Sequence, residues 1–266
     1  MAKRLIFLIF IIQFSLVLAQ VQVQSLKAIT LSIQKINADD VIGVDGLDNM
    51  FYIKNNTLFK KSNTESWQYE NIYMGKITRV DIQNPLKIVL FYENFNTIII
   101  LDNQLNEIQK INFSENTIPI IVSATGIASQ NRLWIYDSTS QQIGLYDYLK
   151  KTFTPVTTSF QGNFKYYNSD FNTFQWVDDK LNWYSCDIYG KIKTLGKVSD
   201  FEQIKPIINY AVIFSKKGKL YLQDVNKNSV YVIENIEKSF KNFYYKDQIL
   251  SIFTNKEITN YKITIP

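Results

Sequence analysis

The sequence predicts an all-β fold: a six-bladed β-propeller with four-stranded blades, its ring closed by an N-terminal strand that joins the C-terminal blade. Three observations carry this. A unit made of an apolar and aromatic run, a polar tip and a second run recurs six times. It recurs with a period near forty residues. Finally, the last copy is one strand short, while a strand-like segment near the N-terminus has no partner of its own.

In chain order the six units are NMFYIKNNTLFKKS, KIVLFYENFNTIIILDNQ, RLWIYDSTSQQIGLYDYL, TFQWVDDKLNWYSCDIYG, YAVIFSKKGKLYLQDVN and QILSIFTNKEITNYKIT. The last apolar residues before each tip are Ile53, Tyr92, Tyr136, Val177, Phe214 and Phe253, which fall 39, 44, 41, 37 and 39 residues apart. Ile, Tyr, Phe, Val and Thr dominate, and stretches such as Lys219-Leu220-Tyr221-Leu222-Gln223 alternate at period two, so the units are strands and not helices. The second copy fills out to four strands as ITRVDIQ, KIVLFYEN, TIIILDN and NEIQKINF. The third does so as PIIVSATGIAS, RLWIYDS, QIGLYDY and KTFTPVT. The sixth supplies only FKNFYYKD, QILSIFT and ITNYKITIP, and SLKAITLSIQKI at residues 25–36 is the strand expected to complete it and remove a free sheet edge. With nine Gly in the chain, Asn at 55–56, 94, 96, 103, 106, 131, 226 and 228 is expected to carry much of the turn chemistry, alongside a compositional bias toward Asn, Lys and Ile.

Ahead of the first unit, Lys3 and Arg4 precede an apolar run from Leu5 to Leu18 that ends in Val17-Leu18-Ala19. Residues 1–19 therefore read as a secretory signal peptide and 20–266 as a single propeller domain of 247 residues with formal charge +3. No later stretch reads as a membrane span. Cys186 is the only cysteine, so no internal disulfide can form; its apolar, aromatic context predicts a buried structural thiol.

The chain has no histidine, which removes Ser-His-Asp and Cys-His catalysis and His-ligated metals. The basic excess is small and dispersed, and Arg79 and Arg132 are the only arginines beyond the leader, so nucleic acid is not expected as a partner. Carboxylates remain. Asp39-Asp40 and Asp178-Asp179 are expected in turns, since adjacent acids on a strand point to opposite faces and cannot converge on a sugar. Asp45, Asp48 and Asn49 cluster as in a calcium loop, but the spacing does not continue to a bidentate Glu; the stretch also looks like a turn of lactonase-like and NHL-like propellers. Asp45, Asp81, Asp170 and Asp247 fall at similar positions in four repeats, where inner strands could bring them to the central channel around a cation. That is the basis for a calcium-dependent lactonase or hydrolase reading, with polar residues lining a wet channel as its alternative.

Aromatic residues make up 15% of the chain, most of them needed to pack sheet against sheet. One member of each of Tyr166-Tyr167, Trp183-Tyr184 and Phe243-Tyr244-Tyr245 is expected at the surface, where it could serve a protein or glycan interface. With no catalytic motif and no cofactor motif, a protein-binding platform is favoured over a carbohydrate-binding module and over the cation-dependent hydrolase.

The leader ending in Leu-Ala-Gln, the Asn/Lys/Ile/Tyr bias and the short blade FNTIIILDNQLNEIQKINF together resemble exported propeller proteins of the Bacteroidota, particularly Flavobacteriia. Within that group the chain is similar to the Plug subunit of the type 9 secretion system. The resemblance implies a periplasmic, non-enzymatic protein, peripheral to the outer membrane, that docks on an outer-membrane β-barrel translocon or another envelope protein and closes its periplasmic end. No individual residue role is carried over.

Overall fold

The computed structural model describes residues 24–115, 118–207 and 210–266; the leader expected over 1–19 lies outside them. Six sheets, antiparallel apart from one added edge strand, follow one another along the chain. The first blade contains β3 (Asp40–Val44), β4 (Met50–Lys54), β5 (Thr57–Lys61) and β6 (Ser66–Tyr69), and the second β7 (Arg79–Asn84), β8 (Lys87–Tyr92), β9 (Thr97–Leu101) and β10 (Glu107–Asn112). The third has β11 (Val122–Ile127), β12 (Arg132–Asp137), β13 (Gln142–Asp147) and β14 (Thr152–Pro155); the fourth has β15 (Phe164–Ser169), β16 (Thr173–Asp178), β17 (Asn182–Asp187) and β18 (Ile192–Lys197). In the fifth are β19 (Gln203–Pro206), β20 (Ala211–Lys216), β21 (Lys219–Asp224) and β22 (Ser229–Glu234), and in the sixth β23 (Asn242–Lys246), β24 (Ile249–Phe253) and β25 (Glu257–Lys262). The expected six-bladed propeller is the observed fold.

Closure works as the sequence predicts, with one addition. Strand β2 (Ile29–Lys35) pairs antiparallel with β25 as the fourth strand of the sixth blade. Just before it, β1 (Gln24–Lys27) pairs in parallel with β22, adding a fifth strand to the fifth blade. One N-terminal segment thus binds two adjacent sheets, with Ala28 buried at the step between them.

Each sheet is apolar on both faces because each is sandwiched between two others, and the buried side chains fall into six clusters, one per interface between blades. Between the second and third blades lie Phe91, Ile98, Ile100, Leu133, Ile135 and Tyr146. The seam between the sixth and first blades is the exception: its cluster holds only Ala38, Val41, Phe253 and Ile258, beside a cavity of about 60 Å³. Polar contacts between inner strands reinforce that seam. Asn242 Nδ2 donates to Asp40 Oδ1 (2.8 Å) and to the Val41 carbonyl (2.9 Å), and the Tyr244 hydroxyl donates to the Val44 carbonyl (2.8 Å). Gly43, at φ +144°, lets the Tyr244 ring lie against the backbone there; a methyl group would come within 2.8 Å of it.

Turn chemistry departs from expectation. Asn55, Asn56, Asn96 and Asn228 do take left-handed backbone, but so do Leu105, Leu181, Gln130, Gln141 and Lys217. What permits this at several turns is a recurring Asp cap. Asp45, Asp102 and Asp178 each accept the backbone N–H and side-chain Nδ2–H of an Asn four residues on, with the residue before that Asn at positive φ. Asp178 ends β16 and caps the turn that follows it, whereas Asp40 begins an inner strand.

Candidate functional site

The inner strands β3, β7, β11, β15, β19 and β23 surround the axis. Because strands alternate in direction, every blade-to-blade link and every turn between second and third strands lies on one face of the ring; the turns that follow the inner strands lie on the other. The N-terminal ends of the inner strands therefore form a channel mouth on the linker face, which carries Asp40, Arg79 and Asn242 as first residues and Lys205 as the third residue of β19.

Arg79 reaches from the second blade to the fourth. Its guanidinium carbon sits 4.2 Å above the Tyr167 ring and its Nη1 donates to the Tyr167 carbonyl at 3.3 Å. Lys205 takes in β19 the ladder position that Arg79 takes in β7, opposite Ile213 as Arg79 is opposite Phe91, and so stands at the same level of the channel in the opposite blade. Burial lowers the pKa of Lys205, and the neighbouring Arg79 charge lowers it further, against the opposing pull of Asp40. Burial also pushes the Tyr166 hydroxyl up to about 12, despite the favourable charge of Arg79. Beside the mouth, Asp39, Asp40, Asn56, Lys76 and Arg79 line a cleft of about 610 Å³ between the first two blades.

The four acids expected to share a cation do not converge. Asp45 is buried in the turn after β3, where it accepts from the N–H groups of Leu47 and Asn49 at 2.9 Å. Asp170 caps the turn after β15 through Asn172 N (2.8 Å), Thr173 N (2.7 Å) and the Thr173 hydroxyl (2.6 Å). Asp247 is an exposed turn residue at φ +51°. Only Asp81 lies within an inner strand, and it ties two blades together by accepting the Ile127 N–H of β11 at 2.8 Å. Among the described residues no three acidic or thiol groups come together as a metal site. For Asp45 and Asp170 the similar position marks a shared turn, because a carboxylate directly after an inner strand is well placed to accept the N–H groups of the reversal.

The aromatic pairs are also rearranged. Trp183 and Phe243 are buried, and their neighbours Tyr166, Tyr167, Tyr184, Tyr244 and Tyr245 are only partly exposed. The exposed apolar groups of the linker face sit elsewhere: Ile72 (74% exposed) and Tyr73 (81%) in the link to the second blade, Phe95 in the turn after β8, and Ile118 (80%) and Ile121 in the link to the third. Phe95 packs toward Gly75, and Asn96 Nδ2 donates to the Ile120 carbonyl at 2.6 Å, so both links are anchored to one turn. No comparably exposed large apolar side chain lies in the described linker-face loops of blades four to six. This patch could not be read from periodicity, since the links lie outside the strand pattern.

Comparisons place the fold and nothing finer. No family model matches the chain, and no curated protein matches it. Among solved structures it is similar to virginiamycin B lyase from Staphylococcus aureus, solved with quinupristin as a catalytically inactive histidine-to-alanine variant, with TM-score 0.57, 12% identity and coverage of 88% of this chain and 99% of that one. It is similar also to the β-propeller domain of Cps50 (Swd1) from Myceliophthora thermophila (TM-score 0.56, 8% identity, 88% and 100% coverage). A third is the N-terminal domain of BBS1 in complex with ARL6 (TM-score 0.51, 11% identity, 88% and 78% coverage). At these identities the likeness is one of fold alone.

Proposed function

We propose that this chain is an exported, non-catalytic, protein-binding propeller of the periplasm, which docks on the periplasmic end of an outer-membrane protein-export channel of the type 9 secretion kind and closes it. The observation that carries the docking reading is the apolar patch of Ile72, Tyr73, Phe95, Ile118 and Ile121, confined to one side of one face of a rigid ring. Large apolar groups that face water in a cluster lower the free energy of the chain when a partner covers them. The lyase neighbour needs a histidine for activity, and this chain has none. The BBS1 propeller binds another protein, which makes a docking role familiar for the architecture. The resemblance to exported Bacteroidota propellers supplies the compartment and the class of partner.

The mechanism is steric: the ring covers a barrel mouth and leaves when cargo or another subunit engages. Affinity capture of the tagged protein from detergent-solubilised envelope is expected to recover a large outer-membrane β-barrel, and Ile72→Asp combined with Ile118→Asp to abolish the recovery while leaving the fold intact. Capture of the protein alone, or equal recovery with the double variant, would overturn the reading.

A further inference from the structure

The channel mouth holds two cations without a counter-charge. Arg79 comes from β7 in the second blade and Lys205 from β19 in the fifth, on the opposite side of the ring. Neither has an Asp or Glu oxygen within 4.0 Å among the described residues, which include every acid of the chain. Arg79 uses only Nη1; its Nε is buried with no acceptor, and Nη2 and the Lys205 ammonium donate to nothing among the described residues. Asp40, the acid whose charge reaches Lys205, is already engaged by Asn242 Nδ2 at 2.8 Å.

Two like charges on opposite sides of a partly dry space are costly when left uncompensated. Nη2 of Arg79 and the Lys205 ammonium are the two donors left free, so a carboxylate lying between them can accept a charge-assisted hydrogen bond from each.

We infer that the channel mouth binds a carboxylate between Arg79 and Lys205, supplied either by a free small acid or by an acidic side chain on a partner's loop inserted along the axis. The inference is independent of the docking patch and can fail without it.

The test uses the mature chain, with glutarate and a tetraglutamate peptide as probes and sodium chloride of equal ionic strength as the control. At a hundredfold excess over Kd the melting temperature is expected to rise by roughly 5 to 10 °C above the control. Binding measured by calorimetry should weaken at least tenfold in Arg79→Gln and in Lys205→Met. Lys205→Met should also melt no lower than the parent without ligand, because it removes an uncompensated charge; a clear fall would show that Lys205 serves the fold and would count against the site. Response to glutarate points to a free acid, and response to the peptide alone to a partner's loop. If neither probe exceeds the salt control, or the two variants bind as the parent does, the site does not exist.

Discussion

Inner strands of three blades approach one another at Gly126, and the closeness can be measured by a double-mutant cycle. Gly126 lies in β11 opposite Trp134 of β12. A methyl group there would overlap Ser169 Oγ from β15 and stand 3.0 Å from Asp81 Oδ2 of β7 and 3.3 Å from Ser169 Cβ. Overpacking of this kind costs about 1–3 kcal/mol. For Gly126→Ala we expect about 2 kcal/mol, since Asp81 cannot retreat without loosening its bonds from Gln83 N (3.0 Å) and Ile127 N (2.8 Å). Ser169 Oγ is different: it is buried and has no partner, so removing it sacrifices nothing. Ser169→Ala alone should therefore change stability by less than about 0.5 kcal/mol, and in the double variant it should recover about 1 kcal/mol. Urea unfolding at constant m reads both values, and the single Gly126→Ala variant should melt about 4–8 °C below the parent. A double variant as unstable as Gly126→Ala, or a Gly126→Ala variant indistinguishable from the parent, would refute the claim that three blades meet at this point.

Removal of residues 24–35 takes away both N-terminal strands, exposing the edges of β22 and β25; the melting temperature should fall by roughly 10 °C and size-exclusion chromatography should show association through the bared edges. The Cys186 thiol is fully buried, and burial first, then the Asp187 charge, pushes its pKa up to about 12, so a thiol reagent at pH 8 should modify it only after denaturant is added. For Asp102 and Asp178, burial pushes the carboxyls upward, but the bonds from Asn106 and Asn182 outweigh it and leave both pKa values below the ordinary range. Their folded-state pKa is depressed, so their contribution is present above the unfolded carboxylate pKa and is lost as pH falls through the folded value; Asp102→Asn with Asp178→Asn should shrink the difference in stability between pH 7 and pH 3.

The fold was legible because a propeller repeats its requirements. Every blade must present apolar side chains to two neighbours, so Ile53, Tyr92, Tyr136, Val177, Phe214 and Phe253 recur at near-constant spacing, and all six lie in the second strand of their blades. The unpaired strand at 25–36 was legible for the same reason, since an odd strand at one end needs an edge at the other. The parallel pairing of β1 was not, because four residues in the pattern exposed, exposed, intermediate, exposed carry no periodic signal. The site was hidden for a different reason. A repeat search rewards residues common to the blades, and it led to Asp45, Asp170 and Asp247, which the fold uses in turns. Arg79 and Lys205 are what the other blades lack at the mouth; the only advance sign was that Arg79 is one of two arginines beyond the leader and stands at the start of an inner strand.

Repetition also explains why the ring can carry unlike features on its surface. Because each blade is held by two interfaces, the residues at the mouth and in the links are released from packing and can be polar or apolar without losing the fold. The release is uneven. At the first and sixth blades the apolar cluster is smallest, and the inner strands are joined instead by Asn242, Tyr244 and by Lys246, whose ammonium donates to the Asp45 carbonyl at 2.8 Å. These bonds link residues about two hundred positions apart, so they tie the two ends of the ring together. Strand β2 holds the sixth blade from outside, next to that seam. A carboxylate bound across the mouth would join the second blade to the fifth and so brace the ring from within.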